Sequence, residues 1–241
     1  MSSDTPLGNS STGPHGWRAV WLPVVIMIAC LGILIILPTF LLTRFGIKLD
    51  MRGRTLVGLG GTLVSELILF SFLLRWLRKQ GRNLKDIGWR RTTTLPAVII
   101  GVIFALGYAF FTLSNPLIGP NAKEISLFKL AGVVVGVVGA VVEESVFRGY
   151  LISELKAIKI STITQIIVSG VSFGIIHIGF DFLGVLLTFI MGIIMATVYV
   201  IGKRSLTPSI ISHALINIIV EPWLLLFIVT MYSRLSQVVF R

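Results

Sequence analysis

Long apolar stretches, separated by short polar and basic segments, dominate the chain from Trp17 onward. Several of them reach the roughly 20 residues that a helix needs to cross a hydrocarbon core of about 30 Å. The pattern predicts helices at 19–42, 55–77, 95–114, 127–156, 162–179, 182–201, 207–220 and 222–233. We therefore expect an all-α protein, a polytopic transmembrane bundle of about eight helices.

The same pattern divides the chain into four parts. Residues 1–16 are polar and rich in turn-forming residues, which predicts a disordered tail. We expect N-terminal transmembrane helices over 17–124 and a helical core that carries the candidate chemistry over 125–220. Residues 221–241 are expected to form a final helix and a basic tail. The first apolar run is too long for a signal-peptide core, so we expect it to be retained.

The composition supports a membrane environment. Hydrophobic residues make up 55% of the 241 residues and charged residues only 13%, compared with roughly 25% charged residues in soluble domains. The mean hydropathy is +0.95. The single cysteine, Cys30, excludes an intramolecular disulfide and a cysteine-based metal site.

The net charge of +11 comes from lysines and arginines that lie between the apolar segments. Positive charge in such loops fixes membrane orientation, so we expect membrane lipid and no nucleic acid as a partner. We expect a cytoplasmic N-terminus, and the cell membrane as the location if the source is prokaryotic. This orientation places most loop cations inside, at Arg18, 78–91, 156–159, 203–204 and 234–241. The basic loop 43–54 then lies on the opposite side. The sequence makes no prediction of the oligomeric state.

Two adjacent acidic residues, Glu143 and Glu144, follow an apolar, glycine-rich run in the fourth predicted helix. An acidic group at the centre of a membrane helix costs about 2.5–3.5 kcal/mol, so it normally faces a protein interior or a wet cavity. Glu144 and Arg148 have the spacing of a local ion pair. Glu143 points about 100° away and should face a neighbouring helix. Alternatively, the helix ends at Glu143 and both acids lie among lipid headgroups.

His177 occurs at the end of the fifth predicted helix, on the face of a stripe of glycines. A similar stripe precedes Glu143, and small residues allow membrane helices to pack at backbone distance. We therefore predict that the fourth and fifth predicted helices pack against each other along Gly132, Gly136 and Gly139 and along Gly170 and Gly174. A histidine at this position could also be only an interhelical hydrogen-bond donor.

Ser209, His213 and Asn217 share one face of the seventh predicted helix. His213 and Asn217 could bind a metal, position water, donate to an oxyanion, or only join helices by hydrogen bonds. Glu143 lies about 24 Å from the outer start of its helix and His177 about 22 Å from the inner start of the next, so these two residues can meet near the middle of the membrane. His213 lies only about 9 Å along the seventh predicted helix. The seventh predicted helix must therefore begin deeper or tilt for the polar residues to meet.

These residues form three motifs: Glu143-Glu144-x-x-x-Arg148, Phe173-x-x-x-His177 and His213-x-x-x-Asn217. In this order on membrane helices they resemble the CPBP family of intramembrane proteases. That family groups the CAAX prenyl endopeptidases with bacteriocin-processing and self-immunity proteins. The resemblance covers about residues 125–220.

The resemblance implies an endopeptidase that acts on a peptide or a membrane-anchored, for example prenylated, substrate. Glu143 would activate water with help from His177, while His213 and Asn217 would polarise the scissile carbonyl. Glu144 and Arg148 would complete the first motif. The family is often called metalloprotease, and Glu143, His177 and His213 could bind one divalent metal, with zinc the first choice. Metal-free catalysis is slightly favoured, because metal ligation would remove the base.

Two other functions accommodate polar residues inside a helical bundle. A non-catalytic immunity or scaffold protein of the same fold would tolerate the loss of a motif residue, and none is lost here. A proton-coupled transporter is expected to show inverted repeats or broken helices in matching halves, and the sequence shows neither. We therefore predict an intramembrane CAAX-type protease.

Overall fold

The computed structural model describes residues 17–47, 50–90, 93–114, 127–177 and 182–220, which form helices and no strands. The predicted tail at 1–16 and the predicted helix and tail at 221–241 lie outside the described residues. The helices are α1 (Trp17–Leu31), α2 (Leu37–Arg44), α3 (Met51–Lys79), α4 (Leu95–Ser114), α5 (Leu127–Glu143), α6 (Leu151–Ala157), α7 (Thr162–Ile176), α8 (Phe182–Ile201) and α9 (Leu206–Val220).

The predicted helices that fall before residue 221 are all present. Those predicted at 95–114 and 182–201 have the bounds of α4 and α8. The first predicted helix consists of α1 and α2, joined by a π-helical turn at Gly32–Ile36. The fourth consists of α5 and α6, joined by a π-helical turn at Glu144–Tyr150. Hydrophobic periodicity locates these helices but does not reveal the π turns inside them.

Among the residues that the structure describes, four helical segments are long and apolar enough to cross a membrane: Gly53–Lys79, Leu95–Ser114, Leu130–Ala157 and Gly184–Ile201. Helix α4 shows how they pack, because its buried face consists of small residues while large apolar side chains such as Phe110 remain exposed. Close approach of small residues is typical of helices packed inside a bilayer. The chain is therefore a multi-pass integral membrane protein.

The two glycine stripes do not pack against each other, which corrects the sequence-based prediction. A Cβ atom added to Gly192 of α8 would lie 2.9 Å from the Cα atom of Gly170, so α7 packs on α8 at backbone distance. Gly139 of α5 instead faces Glu66 of α3, and Gly136 faces Asn217 of α9. Glycine spacing reveals a close helix contact but carries no information about which helix makes it.

Helix α9 begins well inside the bundle. The Leu206 amide donates to the Gly88 carbonyl at 2.9 Å. A Cβ atom on Gly149 would lie 3.3 Å from Leu206 Cδ1 and 2.7 Å from the Ile87 carbonyl oxygen. Gly149 is about 12 Å before the end of α6 at 1.5 Å per residue, so α9 starts at that depth. Of the two arrangements that the sequence left open for the seventh predicted helix, a deeper start or a tilt, these contacts favour the deeper start.

Three connections meet at one end of the bundle. Arg82, after α3, forms an ion pair with Glu154 of α6. Thr94, before α4, donates to the Ile201 carbonyl at the end of α8. The basic connections at 80–90, 158–161 and 202–205 therefore share one end, hereafter the basic end, as the charge pattern predicts.

Candidate active site

The candidate site lies where the junction of α5 and α6 meets α7 and α9. Glu143 is the last residue of α5, and every residue of the π-helical turn Glu144–Tyr150 is buried. Single π turns inside α-helices occur frequently at functional sites. The helix continues through Glu143 to Ala157, so neither acid lies at a helix end. The alternative of a helix that ends at Glu143 is therefore wrong.

Glu144 lies at the centre of a buried polar cluster. Its Oε1 atom is 2.9 Å from Arg148 Nη1 and 2.9 Å from His213 Nδ1, and none of the three side chains is more than 4% exposed. The predicted local pair of Glu144 and Arg148 is present, and Glu144 of this pair also contacts His213 of α9. A carboxylate paired with arginine can only accept a hydrogen bond, so we assign Nδ1 of His213 as the donor.

Glu143 faces the other nitrogen of the same ring. Its Oε2 atom lies 3.8 Å from His213 Nε2, and its side chain is 13% exposed, whereas that of Glu144 is fully buried. The imidazole of His213 thus stands between two adjacent glutamates that leave the helix in different directions. Glu143 makes no direct hydrogen bond to this ring. The carboxylate of Glu144 is therefore bound within the cluster, whereas the carboxylate of Glu143 is more accessible.

Phe173 packs against most of the cluster. The guanidinium carbon of Arg148 lies 4.3 Å from the centre of its ring. The rings of His177 and His213 lie 4.7 Å and 5.7 Å from it, centre to centre. Its ring joins the motif arginine to both histidines and offers the arginine a cation–π contact.

His177 follows the last residue of α7, one turn after Phe173. Its Nδ1 atom lies 2.7 Å from the Phe173 carbonyl oxygen. Because a carbonyl can only accept, Nδ1 is the donor, and Nε2 of a neutral ring is then the nitrogen able to take a proton. The end of α7 thus fixes both the orientation of His177 and the side of the ring that can act as a base.

Asn217 reaches the backbone of α5 at Gly136. Its Nδ2 atom donates to the Gly136 carbonyl at 2.8 Å. A primary amide has two N–H groups, so this bond orients the side chain and leaves the second N–H for another acceptor. Ser209, one turn before His213, donates to the Leu206 carbonyl at 3.2 Å and is buried.

The residues proposed as metal ligands do not form a metal site in this structure. Within the described ranges, no three His, Cys, Asp or Glu side chains are placed to hold a metal ion. Glu143, His177 and His213 lie in one region, but they do not meet that condition.

Two features near the site escaped the sequence analysis. Glu66 of α3 is 1% exposed, and a Cβ atom on Gly139, one turn before Glu143, would lie 3.8 Å from its Oε1 atom. The cost of an acid inside an apolar helix could have identified Glu66 as it identified Glu143. The Trp89 indole donates to Ser145 at 3.0 Å. No sequence signal indicated that the loop before α4 reaches so deep.

Helices of membrane length around a buried cluster of Glu, Arg, His and Asn define a polytopic membrane protein with an intramembrane polar site. Residues 125–219 match the family model of the type II CAAX prenyl endopeptidases, described as Rce1-like. This range includes every predicted site residue and confirms the family resemblance. It supports a CAAX-type intramembrane protease at the level of the family. No curated protein and no solved structure was found to match the chain.

Proposed function

We propose that the protein is an intramembrane endopeptidase in which Glu143 activates the water that cleaves the substrate. One observation carries this assignment: the two adjacent glutamates occupy different environments. Glu144 is fully buried against Arg148 and His213, whereas Glu143 is partly exposed and lies 3.8 Å from His213. A general base needs room for water beside its carboxylate.

The reaction is a hydrolysis. Glu143 takes a proton from water while the water oxygen attacks the carbonyl carbon of the scissile peptide bond. The tetrahedral intermediate carries its negative charge on the former carbonyl oxygen. Glu143 then returns the proton to the amide nitrogen as the C–N bond breaks, which releases a carboxylic acid and an amine. The carboxylate ends the cycle ionised and ready for another water.

The histidines and Asn217 support these steps. His177 orients the water through Nε2, because its Nδ1 donates to the Phe173 carbonyl. The second N–H of Asn217 and the Nε2 side of His213 face the developing oxyanion, where preorganised donors give large rate effects. Nδ1 of His213 already carries a proton, so Nε2 can donate only when the ring is a cation. The carboxylates of Glu143 and Glu144 lie on either side of the ring and would stabilise that cation.

The substrate that suits this site is a peptide or a membrane-anchored protein, including a prenylated one, that reaches the site from the bilayer. In the metal-dependent alternative, Glu143, His177 and His213 would hold one zinc ion, and Glu143 would then no longer be available as the base. The two mechanisms therefore differ in their response to removal of divalent ions.

The test uses purified protein in lipid nanodiscs and fluorescence-quenched peptides that end in a CAAX sequence, with and without a prenyl group. We expect cleavage at one peptide bond, confirmed by mass spectrometry, at the same rate before and after exhaustive chelation. Asn217→Ala protein serves as the low-activity control. Loss of cleavage on chelation, with recovery on adding zinc, would establish the metal-dependent alternative. No cleavage of any membrane peptide would contradict the protease assignment.

A further inference from the structure

A groove of about 360 Å³ lies on the surface of the helical bundle, between α5, α9 and the turn after Ile87. Its walls are apolar and include Trp89, Val141, Leu206, Ile210 and Ile211. Ile211 is 37% exposed, so the groove opens outward rather than toward the buried cluster. Bilayer lipid is the apolar phase that lies against such a surface.

A positive charge borders this apolar groove. Arg90 lines the groove and is exposed. Its backbone carbonyl accepts hydrogen bonds from Ser205 at 2.9 Å and Thr207 at 3.4 Å, which fix the turn against the start of α9. Within the described part of the chain, the Arg90 guanidinium makes no ion pair. The groove therefore combines an apolar wall with a cation at the basic end of the bundle.

We propose that this groove binds one anionic phospholipid, with an acyl chain along the apolar wall and the phosphate against Arg90. Basic pockets between membrane helices bind anionic headgroups in this way. A peptide fits the groove less well, because its backbone N–H and C=O groups would meet apolar walls without hydrogen-bond partners.

The proposed lipid would pack directly behind the polar cluster. Val141 precedes Glu144 by three residues on one helix, and Ile210 precedes His213 by three residues on the other. Residues three apart on a helix are neighbours on its surface. The occupant of the groove thus supports the helix pair on which Glu144 and His213 are held 2.9 Å apart.

Native mass spectrometry of the delipidated full-length protein tests the proposal. The protein is titrated with phosphatidylglycerol and, separately, with phosphatidylcholine of the same acyl chains. We expect tighter binding of the anionic lipid and, for Arg90→Gln, about fivefold weaker binding of that lipid. Ile211→Trp places an indole in the groove opening, so it should reduce the binding of both lipids.

Lys156→Gln is the matched control, because it removes one exposed positive charge at the same end of the bundle without touching the groove. It should bind phosphatidylglycerol as the wild type does. If Lys156→Gln and Arg90→Gln weaken phosphatidylglycerol binding equally, the effect is one of general surface charge, and the proposed lipid site is contradicted. Unchanged binding by Arg90→Gln or by Ile211→Trp would overturn it as well. Thermal unfolding of each variant confirms that the protein tested is folded.

Discussion

The chemistry of the site depends on how single residues differ from their neighbours in the sequence. Glu143 and Glu144 are identical in type and adjacent, yet one is accessible and the other is fully buried in an ion pair. The sequence predicted the pair of Glu144 with Arg148, because that contact is local to one helix. It did not predict that Glu144 also holds His213, because that contact joins residues of different helices.

Asn217 gives a residue-scale prediction. Asn217→Ala should lower turnover by about 10²–10³, the loss typical of removing one oxyanion donor. It should lower stability by only about 1 kcal/mol, because one hydrogen bond to the Gly136 carbonyl is lost. Turnover per folded molecule and the thermal midpoint are the measurements.

Ser212→Ala is the matched control for this prediction. Ser212 also lies on α9 and donates to a glycine carbonyl on another helix, that of Gly101 at 2.6 Å. Its removal should cost similar stability and leave turnover unchanged. An Asn217→Ala protein with the turnover of Ser212→Ala would show that Asn217 only joins helices.

At the scale of helices, the sequence pattern predicted the features that depend only on residues close together in the chain. The bounds of α4 and α8 follow from apolar length, but the partners of the glycine stripes do not, because any helix can use a glycine face. The π turn at Glu144–Tyr150 was also not predictable. Its residues are apolar, polar and charged in turn, and burial of all of them depends on helices from elsewhere in the chain.

Gly192 provides the element-scale test. Gly192→Ala should destabilise the protein by about 1–3 kcal/mol, the usual cost of overpacking, because the new Cβ atom meets the Gly170 backbone at 2.9 Å. Gly107→Ala is the control, since a Cβ atom there has nothing within 4 Å. Thermal unfolding in one detergent compares them. Equal midpoints for the two variants would contradict the close contact of α7 and α8.

At the scale of the whole molecule, the sequence predicted which connections share one end of the bundle, because that follows from the order of the helices alone. The contacts of Arg82 with Glu154 and of Thr94 with Ile201 place the basic connections at one end of the bundle. The loop before α4 and the start of α9 enter the bundle at that end, and no loop pattern indicated this. Their depth depends on Gly88, whose φ of +103° and contact with the Arg204 carbonyl require glycine.

The orientation of the basic end is a prediction for intact cells. In a Cys30→Ala background, Lys85→Cys should react with a membrane-impermeant maleimide only after permeabilisation, because the side of the membrane that carries most of the loop lysines and arginines is the cytoplasmic side. Phe45→Cys lies in the other basic loop, where Phe45 is 77% exposed, and it should react in intact cells. The opposite labelling pattern would reverse the orientation.

The central claim is that Glu143 is the base and that Glu144 positions the site. Cleavage rates of Glu143→Gln and Glu144→Gln, measured at equal folded amounts, test it most directly. Glu143→Gln should keep the fold and abolish cleavage, because an amide cannot take a proton from water. Glu144→Gln should retain some cleavage, since its amide oxygen still accepts from His213, but it should lose about 3–5 kcal/mol of stability with Arg148 left unpaired. Wild-type cleavage by Glu143→Gln, together with an inactive Glu144→Gln, would contradict the account.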